Sequence, residues 1–186
     1  MIKSLFHVNV NCSNFERSLT FYKMLGFKVV LDIPAVGKSE VGNSETGRGL
    51  GLPNSVARAA IMTLSDDPHA TRLDLIEWSK PRDDAKPYAQ LNHLGIARIA
   101  LFTKGLREEY KRLKNEGVSF ISEPVTIRTG AGEALFACFY DPDGTILELV
   151  EPGASKEPFG AAEYFQILSF TPSSRDSRLP SGEASA

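Results

Sequence analysis

The sequence predicts an α+β fold in which two similar βαβββ modules form one domain, followed by a tail. Residues 4–30 and 97–121 both have the pattern of a strand, a helix that ends in glycine, and a second strand. The strand "LDLIE" at 73–77 returns in the second half as "LELVE" at 147–151. Matching stretches in the same order indicate two copies of one structural unit.

The first module begins with a predicted strand and helix. Polar and apolar residues alternate over residues 5–12, which is the period of a half-buried strand. Ser13 and Glu16 then have the S-x-x-E spacing of a capping box, and Gly26 ends the helix. The apolar positions of this helix fall at helical spacing at Phe15, Leu19 and Tyr22. Module one is therefore predicted to cover residues 2–78.

The second module follows the same plan over residues 93–150. Gly117 ends its predicted helix. The apolar stripe of that helix consists of Leu106, Tyr110 and Leu113. The dipeptide at 143–144, Asp-Gly, favours a hairpin turn before the last strand. The polar, proline-bearing stretch 79–92 is the predicted linker, so that the single domain spans residues 1–152.

Two segments fall outside the repeat. The loop 33–56 is rich in glycine and has no clear periodicity, and we predict that it is a mobile flap over the site. A solvated insertion without a role is the alternative. Residues 153–186 form the predicted C-terminal extension. Its stretch "AAEYFQILSF" is expected to dock on the core, and its Ser- and Pro-rich end is expected to be disordered.

Composition limits the classes of function. The 186 residues are 42% apolar and 24% charged, and the formal net charge of −2 predicts no basic surface for nucleic acid. No apolar run reaches the length of a membrane span, and the first residues lack the apolar stretch of a signal peptide. Cys12 and Cys138 show no disulfide framework and no metal spacing, so we expect a cytoplasmic protein with reduced thiols.

Four stretches of the chain resemble the vicinal oxygen chelate superfamily, which includes glyoxalase I, bleomycin-binding proteins and extradiol dioxygenases. They are "HVNVNCSNFERSLTFYKMLGF", "LDLIEW", "ARIALFTKGLREEYKRLKNEGV" and "FYDPDGTILELVEP". The resemblance covers most of residues 4–152 and implies an open, cup-shaped sheet around a central site, a small-molecule ligand and commonly a homodimer. It also implies site residues on the first and last strands of each module, which here fall at His7, Asp74 and Glu148.

The fourth site position is decided by counting along the repeat. His7 lies 19 residues before Gly26 and Arg98 lies 19 residues before Gly117, whereas His93 lies 24 residues before it. An arginine stays protonated and offers only hydrogen-bond donors, so it replaces a metal cation rather than binding one. We predict a metal-free catalytic cluster of His7, Asp74, Arg98 and Glu148. The alternative is that this cluster only holds the two modules together.

Strand alternation places the two carboxylates on the face opposite the leucines. Asp74 and Glu148 each lie between two leucines, which we expect to face the helices. Glu77 and Glu151 fall on the leucine side near strand ends, where we expect solvent exposure. Trp78 shares the face of Asp74, which makes it the best aromatic candidate for contact with a substrate.

The predicted activity is that of a lyase or isomerase that moves a proton next to a carbonyl group on a small oxygenated metabolite. The arginine would hold a carbonyl or carboxylate oxygen, and the histidine or a carboxylate would move the proton. No cofactor is predicted for this reaction. The first alternative is a metal-free protein that binds or sequesters a small molecule, as the bleomycin-resistance relatives do.

Metal-dependent chemistry is the second alternative. His7, Asp74 and Glu148 would then hold Mn²⁺, Fe²⁺ or Mg²⁺, or less favourably Zn²⁺, in a glyoxalase-like or epimerase-like site. A dioxygenase site needs two histidines and one carboxylate within one module, and His93 is out of register for that arrangement.

Further candidates for contact with an anionic or aromatic substrate lie outside the cluster. Arginines in glycine-rich segments suit an acidic group on a substrate, and aromatic side chains give a cavity flat apolar walls. The predicted substrate-binding residues are Arg48, Arg58, Trp78, Arg128 and Phe136. Exposed arginines without a role in binding are the alternative for the three cations.

Overall fold

The computed structural model of the chain describes residues 1–34, 45–129 and 132–153. The predicted flap lies partly outside the described residues, at 35–44, and its described part contains a short helix. The predicted disorder of the extension falls on residues beyond 153, which also lie outside the described residues. Among the helices of the described ranges, none has the length and apolar character needed to cross a membrane.

The first module forms one mixed sheet with a helix on one face. Its strands lie in the order β1-β4-β3-β2. Strand β1 runs parallel to β4, and the remaining neighbours are antiparallel. The elements are β1 (His7–Asn11), α1 (Phe15–Met24), β2 (Lys28–Ile33), α2 (Glu45–Gly49), β3 (Val56–Thr63) and β4 (Arg72–Lys80).

The second module repeats this arrangement. Its strands lie in the order β5-β8-β7-β6, with β5 parallel to β8. The elements are β5 (Ile99–Phe102), α3 (Leu106–Asn115), β6 (Val125–Thr129), β7 (Gly132–Tyr140) and β8 (Ile146–Pro152). The predicted α+β class and the two βαβββ modules are therefore confirmed. Each of the two sheets is hydrogen-bonded within its own module.

The predicted helix ends at glycine are also present. Gly26 and Gly117 follow the last turns of α1 and α3 with φ of +99° and +88°. A residue with a Cβ is strained in this left-handed region, so glycine is favoured at both places. The helix start was predicted wrongly: Asn14 caps α1, and its side chain accepts a hydrogen bond from the backbone of Arg17 at 3.0 Å. Ser13 instead bonds to Asp143.

The core lies between the sheets and the two long helices. The leucines of the repeated strand motif are all buried, as strand alternation predicts. They pack with α1 and α3 in one cluster that includes residues of both modules. These buried leucines are Leu73, Leu75, Leu147 and Leu149.

The last glutamate of each repeated strand motif caps the helix of its own module. Glu77 accepts a hydrogen bond from the backbone N–H of Phe15 at 2.8 Å, at the start of α1. Glu151 accepts bonds from the N–H groups of Gly105 and Leu106 at 2.6 and 2.9 Å, at the start of α3. The first N–H groups of a helix have no partner within the helix, so these carboxylates satisfy them. Both glutamates keep part of their surface in solvent, and the sequence did not predict that they also cap the helices.

Changing Glu151 to alanine will lower the free energy of unfolding by about 1 kcal/mol, because two N–H groups of α3 lose their acceptor. These two N–H groups hold the pKa of Glu151 below its usual range. The stabilisation is therefore present above the unfolded pKa and lost as pH falls through the folded pKa. Urea unfolding at neutral and acidic pH measures both effects.

The exposed Glu123, which lies before β6, provides the matched control for this measurement. Its change to alanine removes the same kind of side chain without removing a helix cap. An equal loss of stability in the Glu123→Ala variant would contradict the capping role of Glu151.

The two modules are joined by a buried hydrogen bond between a helix and a turn. Tyr22 of α1 donates its hydroxyl to Oδ2 of Asp141 at 3.1 Å, and both residues are buried. Oδ1 of Asp141 accepts the backbone N–H groups of Asp143 and Thr145, which closes the turn between β7 and β8. Asp143 in turn accepts the backbone N–H of Ser13 at 3.0 Å. The turn of module two is therefore fixed to the start of α1.

Candidate functional site

A cleft of about 1000 Å³ lies between the two modules. It runs along β1 and along the residues that precede β5. Strands β1 and β5 each lie at an edge of their sheet. The linker residues 81–88 form another wall. The polar and aromatic side chains that line the cleft include Asn9, Asn11, Trp78, Tyr88, Arg98 and Thr145.

Arg98 is the residue of the predicted cluster that lines this cleft. Its Nε donates a hydrogen bond to Oε2 of Glu148 at 2.6 Å. The register of β5 and β8 pairs Ala100 with Glu148, which brings the arginine next to the carboxylate. The Glu148 side chain is 10% exposed and that of Arg98 is 45% exposed, so the pair joins a buried anion to a cation at the cleft surface.

The guanidinium of Arg98 is held through one of its three nitrogens. The hydrogen bond to Glu148 raises the pKa of the arginine further, so its charge is permanent at any working pH. Within the described part of the chain, its two Nη groups have no protein acceptor. The fixed Nε therefore orients a pair of donors that are available to a ligand.

His7 and Asp74 lie on neighbouring strands of the other sheet. Asp74 is half-buried, and this burial raises the pKa of its carboxyl, while the nearby His7 acts in the opposite direction. The register of β1 and β4 places Asn9 beside Asp74, and Asn9 donates its amide to the backbone carbonyl of Asp74 at 3.0 Å. Asp74 therefore lies one strand behind the cleft wall that Asn9 forms.

The four residues of the predicted cluster are divided between the two modules, with His7 and Asp74 in the first and the ion pair of Arg98 and Glu148 in the second. Across residues 1–34, 45–129 and 132–153, no group of three or more His, Cys, Asp and Glu side chains is placed to hold a metal ion. The donor set of a single chain thus does not fit the metal that the superfamily resemblance implies, because His7, Asp74 and Glu148 are not assembled. In addition, the Glu148 carboxylate already forms an ion pair with Arg98.

Trp78 contributes an aromatic wall to the cleft. Its indole Nε1 donates to Oδ1 of Asn11 at 2.9 Å, which fixes the ring against β1. The ring packs against a small apolar cluster on the face of the sheet opposite α1. The buried members of that cluster are Ala57, Ala59 and Ile76. The predicted placement of Trp78 on the face of Asp74 agrees with these contacts.

The other predicted substrate-binding residues are not among those that line the cleft. Arg58 lies over the ring of Phe15 at 4.0 Å and pairs with Asp32, so it faces the helix layer. Arg128 is 82% exposed and pairs with Glu133, and Arg48 is exposed in α2. Phe136 is half-buried on β7. The alternation of side chains along β3 explains the position of Arg58, because its neighbours Ala57 and Ala59 face the other way.

Several cleft residues were not predicted as site residues. Asn9 and Asn11 share the strand face of His7, so strand alternation would have placed them beside the site residue that the resemblance implied. Residues 81–88 were predicted only as a linker, since a sequence pattern does not reveal which surface a connecting segment covers. Thr145 lines the cleft because the turn after β7 folds back toward α1.

The two cysteines will not react with iodoacetamide in the folded chain at about pH 8, because the thiolate is the reactive form. Burial raises the pKa of the Cys12 thiol to about 12, although this residue borders the cleft. Burial also raises the pKa of Cys138. Mass spectrometry of the labelled protein, with a urea-unfolded sample as the positive control, checks this result. Rapid labelling of Cys12 without denaturant would contradict it.

Comparisons with known proteins agree with this architecture. A glyoxalase family protein from Bacillus cereus is similar over 82% of this chain and 95% of its own, with 20% identity and a TM-score of 0.68. Trypanothione-dependent glyoxalase I from Leishmania major is similar over 81% of this chain and 87% of its own, with 18% identity and a TM-score of 0.55. At these identities the likeness concerns the fold.

A third similar structure is a glyoxalase family protein from Enterococcus faecalis, with 22% identity, a TM-score of 0.52, and coverage of 80% of this chain and 98% of its own. No curated protein matches the chain. The family model described as Glyoxalase/Bleomycin resistance protein/Dioxygenase superfamily matches residues 4–149. The chain therefore belongs to the glyoxalase/bleomycin resistance protein/dioxygenase superfamily, which confirms the resemblance found in its sequence.

Proposed function

We propose that the chain binds a small, oxygen-rich anion in the cleft between its modules, through the guanidinium of Arg98 and without a metal. Membership of the superfamily supports a small-molecule enzyme or a small-molecule binding protein. The observation that carries the proposal is the single bond from Nε of Arg98 to the buried Glu148. This bond holds the guanidinium in place and leaves its Nη groups for the ligand.

The shape of the guanidinium selects the ligand group. Two parallel N–H donors match the two oxygens of a carboxylate, or a carbonyl next to a hydroxyl, better than they match a single neutral oxygen. Because Glu148 orients the donors before the ligand arrives, binding costs little side-chain entropy. Trp78 supplies a fixed flat wall in the same cleft, and Asn9 supplies a further polar group.

An enzyme that moves a proton next to a carbonyl, as a lyase or isomerase does, is the second candidate function. The observation that favours it is the raised pKa of the half-buried Asp74 carboxyl. A more basic carboxylate is a better proton acceptor, and Asp74 lies on the strand next to the cleft wall that Asn9 forms. In this case Arg98 would stabilise the negative oxygen that forms when the substrate loses its proton.

A panel of α-keto acids, α-hydroxy acids and acyl-CoA compounds tests both candidates. We expect carboxylates to bind in titration calorimetry and their methyl esters to bind at least about tenfold more weakly, since an ester has no charge for Arg98 to neutralise. Equal binding of acids and esters would refute the role of Arg98. Exchange of the α-hydrogen in D₂O, followed by NMR and lost in the Asp74→Asn variant, identifies the enzyme; binding without exchange identifies the binding protein.

Protein purified without a metal-binding tag will contain well below one equivalent of any divalent metal, and incubation with Zn²⁺, Ni²⁺, Mn²⁺ or Fe²⁺ will not change this. The reason is the donor set, in which an arginine competes for the Glu148 carboxylate. Elemental mass spectrometry gives the metal content. One equivalent that is lost in the Asp74→Ala or Glu148→Ala variant would mean that a metal occupies these residues after all.

A further inference from the structure

One face of the second sheet carries an apolar row that crosses all four strands and is exposed at its ends. The register pairs Phe102 with Val150, Val150 with Phe136, and Phe136 with Val125. Alternation places this row on the face opposite α3, because the intervening Leu149 is in the core. Phe102 and Val125 at the two ends of the row are 66% and 44% exposed, and Val150 and Phe136 between them are half-buried. We call this surface the open face of module two.

The equivalent row of module one is covered at two of its three positions. The repeat relates Ile76 to Val150 and Asn11 to Phe102, and the register of module one joins Asn11, Ile76 and Ala59 in one row. Ile76 is 8% exposed and Ala59 is 3% exposed. Asn11 at the sheet edge is exposed, so module one buries the centre of its row, whereas the bulkier row of module two is exposed at both ends. An apolar sheet face is normally packed against another layer.

The described chain ends beside the open face. Pro152 pairs with Ala134 on β7, next to Ile127 on β6, which is 40% exposed. Gly153 donates its N–H to the carbonyl of Glu133 at 2.7 Å, which fixes the direction in which the chain leaves the sheet. A Cβ on Gly153 would lie 2.7 Å from that carbonyl oxygen, so glycine is needed for this close approach.

The segment that follows has the composition and the reach to cover the open face. Five of the seven residues from 164 to 170, "YFQILSF", are large and apolar, and the residues from 171 to 186 are mostly polar. The seven residues 154–160 can span about 23 Å when extended. The first and last strands of a four-stranded sheet lie about 14 Å apart. Every strand of the open face is therefore within reach.

We propose that residues 161–170 of the same chain pack on the open face of module two and complete its second layer. The row next to Val150 contains Glu148, paired with Ala100 on one side and Cys138 on the other. A cover on the open face thus adjoins the carboxylate that orients Arg98 and keeps water from that side of the ion pair. The proposal concerns packing and does not depend on the identity of the cleft ligand.

Paired cysteines in the full-length chain test this packing. With Val125→Cys and Leu168→Cys together, mild oxidation is expected to give a disulfide within one chain, which runs faster than the reduced form on a non-reducing gel. Lys111→Cys with Leu168→Cys is the matched control, because Lys111 is exposed on α3 at the opposite side of the sheet. The native cysteines are both buried and serve as a common background.

The yields decide between the occupants of the open face. A within-chain disulfide that forms with residue 125 and not with residue 111 supports the proposal. Equal yields for the two pairs, or no disulfide with residue 125, would overturn it. Covalent dimers formed by the 125 and 168 pair would also overturn it, because they place a second copy of the chain at this surface.

Hydrogen–deuterium exchange of the full-length chain gives an independent readout. Phe165→Asp with Leu168→Asp removes apolar contacts, and we expect severalfold faster exchange in peptides from β5 and β6 with unchanged exchange in α1. The conservative control Glu163→Gln keeps the apolar residues and should match the wild type. Unchanged exchange in β5 and β6 of the double variant would contradict the proposal, and the α1 peptides report whether the fold is intact.

Discussion

Replacing Arg98 by methionine will weaken the binding of a carboxylate ligand by about 100-fold, equivalent to about 3 kcal/mol. Methionine keeps much of the length of the side chain and removes both Nη donors that the bond to Glu148 leaves available. Loss of two charge-assisted hydrogen bonds in a partly enclosed cleft explains an effect of this size. Titration calorimetry with the tightest carboxylate from the panel measures it.

Three further variants separate the role of Arg98 in binding from other effects. Arg98→Lys keeps the charge but cannot hold Glu148 and two ligand oxygens together, so we expect a loss of about tenfold. Replacing Arg98 by methionine leaves the buried charge of Glu148 without its partner. Glu148→Gln removes that charge and keeps an oxygen that can accept the hydrogen bond from Nε of Arg98. Arg128→Met removes an exposed arginine outside the cleft and should not change affinity. Unchanged affinity in Arg98→Met would exclude this residue from the binding site.

Replacing Asp141 by alanine will lower the free energy of unfolding by about 3 kcal/mol, the largest effect on stability that we expect from a single polar residue. The change leaves three donors without their acceptor: the Tyr22 hydroxyl and the N–H groups of Asp143 and Thr145. These donors lie in or next to the core, where water cannot fully replace the carboxylate. Urea unfolding, monitored by circular dichroism, measures the loss.

A double-mutant cycle assigns part of this loss to the joint between the modules. Tyr22→Phe removes one hydroxyl and is expected to cost about 1–2 kcal/mol, because it leaves one buried carboxylate oxygen unpaired. In the double variant of Tyr22→Phe and Asp141→Ala the two losses should be clearly less than additive, since both changes break the same bond. Additive losses would mean that the hydrogen bond between Tyr22 and Asp141 does not stabilise the fold.

Much of the fold could be predicted because the signals are local and occur twice. The motif "LDLIE" and its copy "LELVE" identify the last strand of each module, and their leucines are buried as alternation requires. Counting along the repeat placed Arg98 in register with His7, and the structure brings Arg98 into contact with Glu148. The catalytic roles assigned to these residues stay predictions.

The arrangement of the two sheets could not be predicted from these signals. A repeat defines the strands of each module but not the distance between the two modules. His7 and Asp74 lie on one sheet, whereas Arg98 and Glu148 belong to the other. The separation of these two groups depends on packing between residues that are far apart in the chain. The capping glutamates are a different case. Alternation placed Glu151 on the leucine side, facing the helices, and the start of α3 lies there with unpaired N–H groups.

The division of the strands between the modules has a consequence for how such a chain can be rearranged. Each described strand pairs within its own module, so a break in the linker would leave both hydrogen-bonded sheets whole. Recombination between related genes at this point would exchange an entire sheet together with its capped helix. The surfaces that must then match again include the shared core, the joint in which α1 meets Asp141 and Asp143, and the hydrogen bond from Arg112 to the carbonyl of Met24.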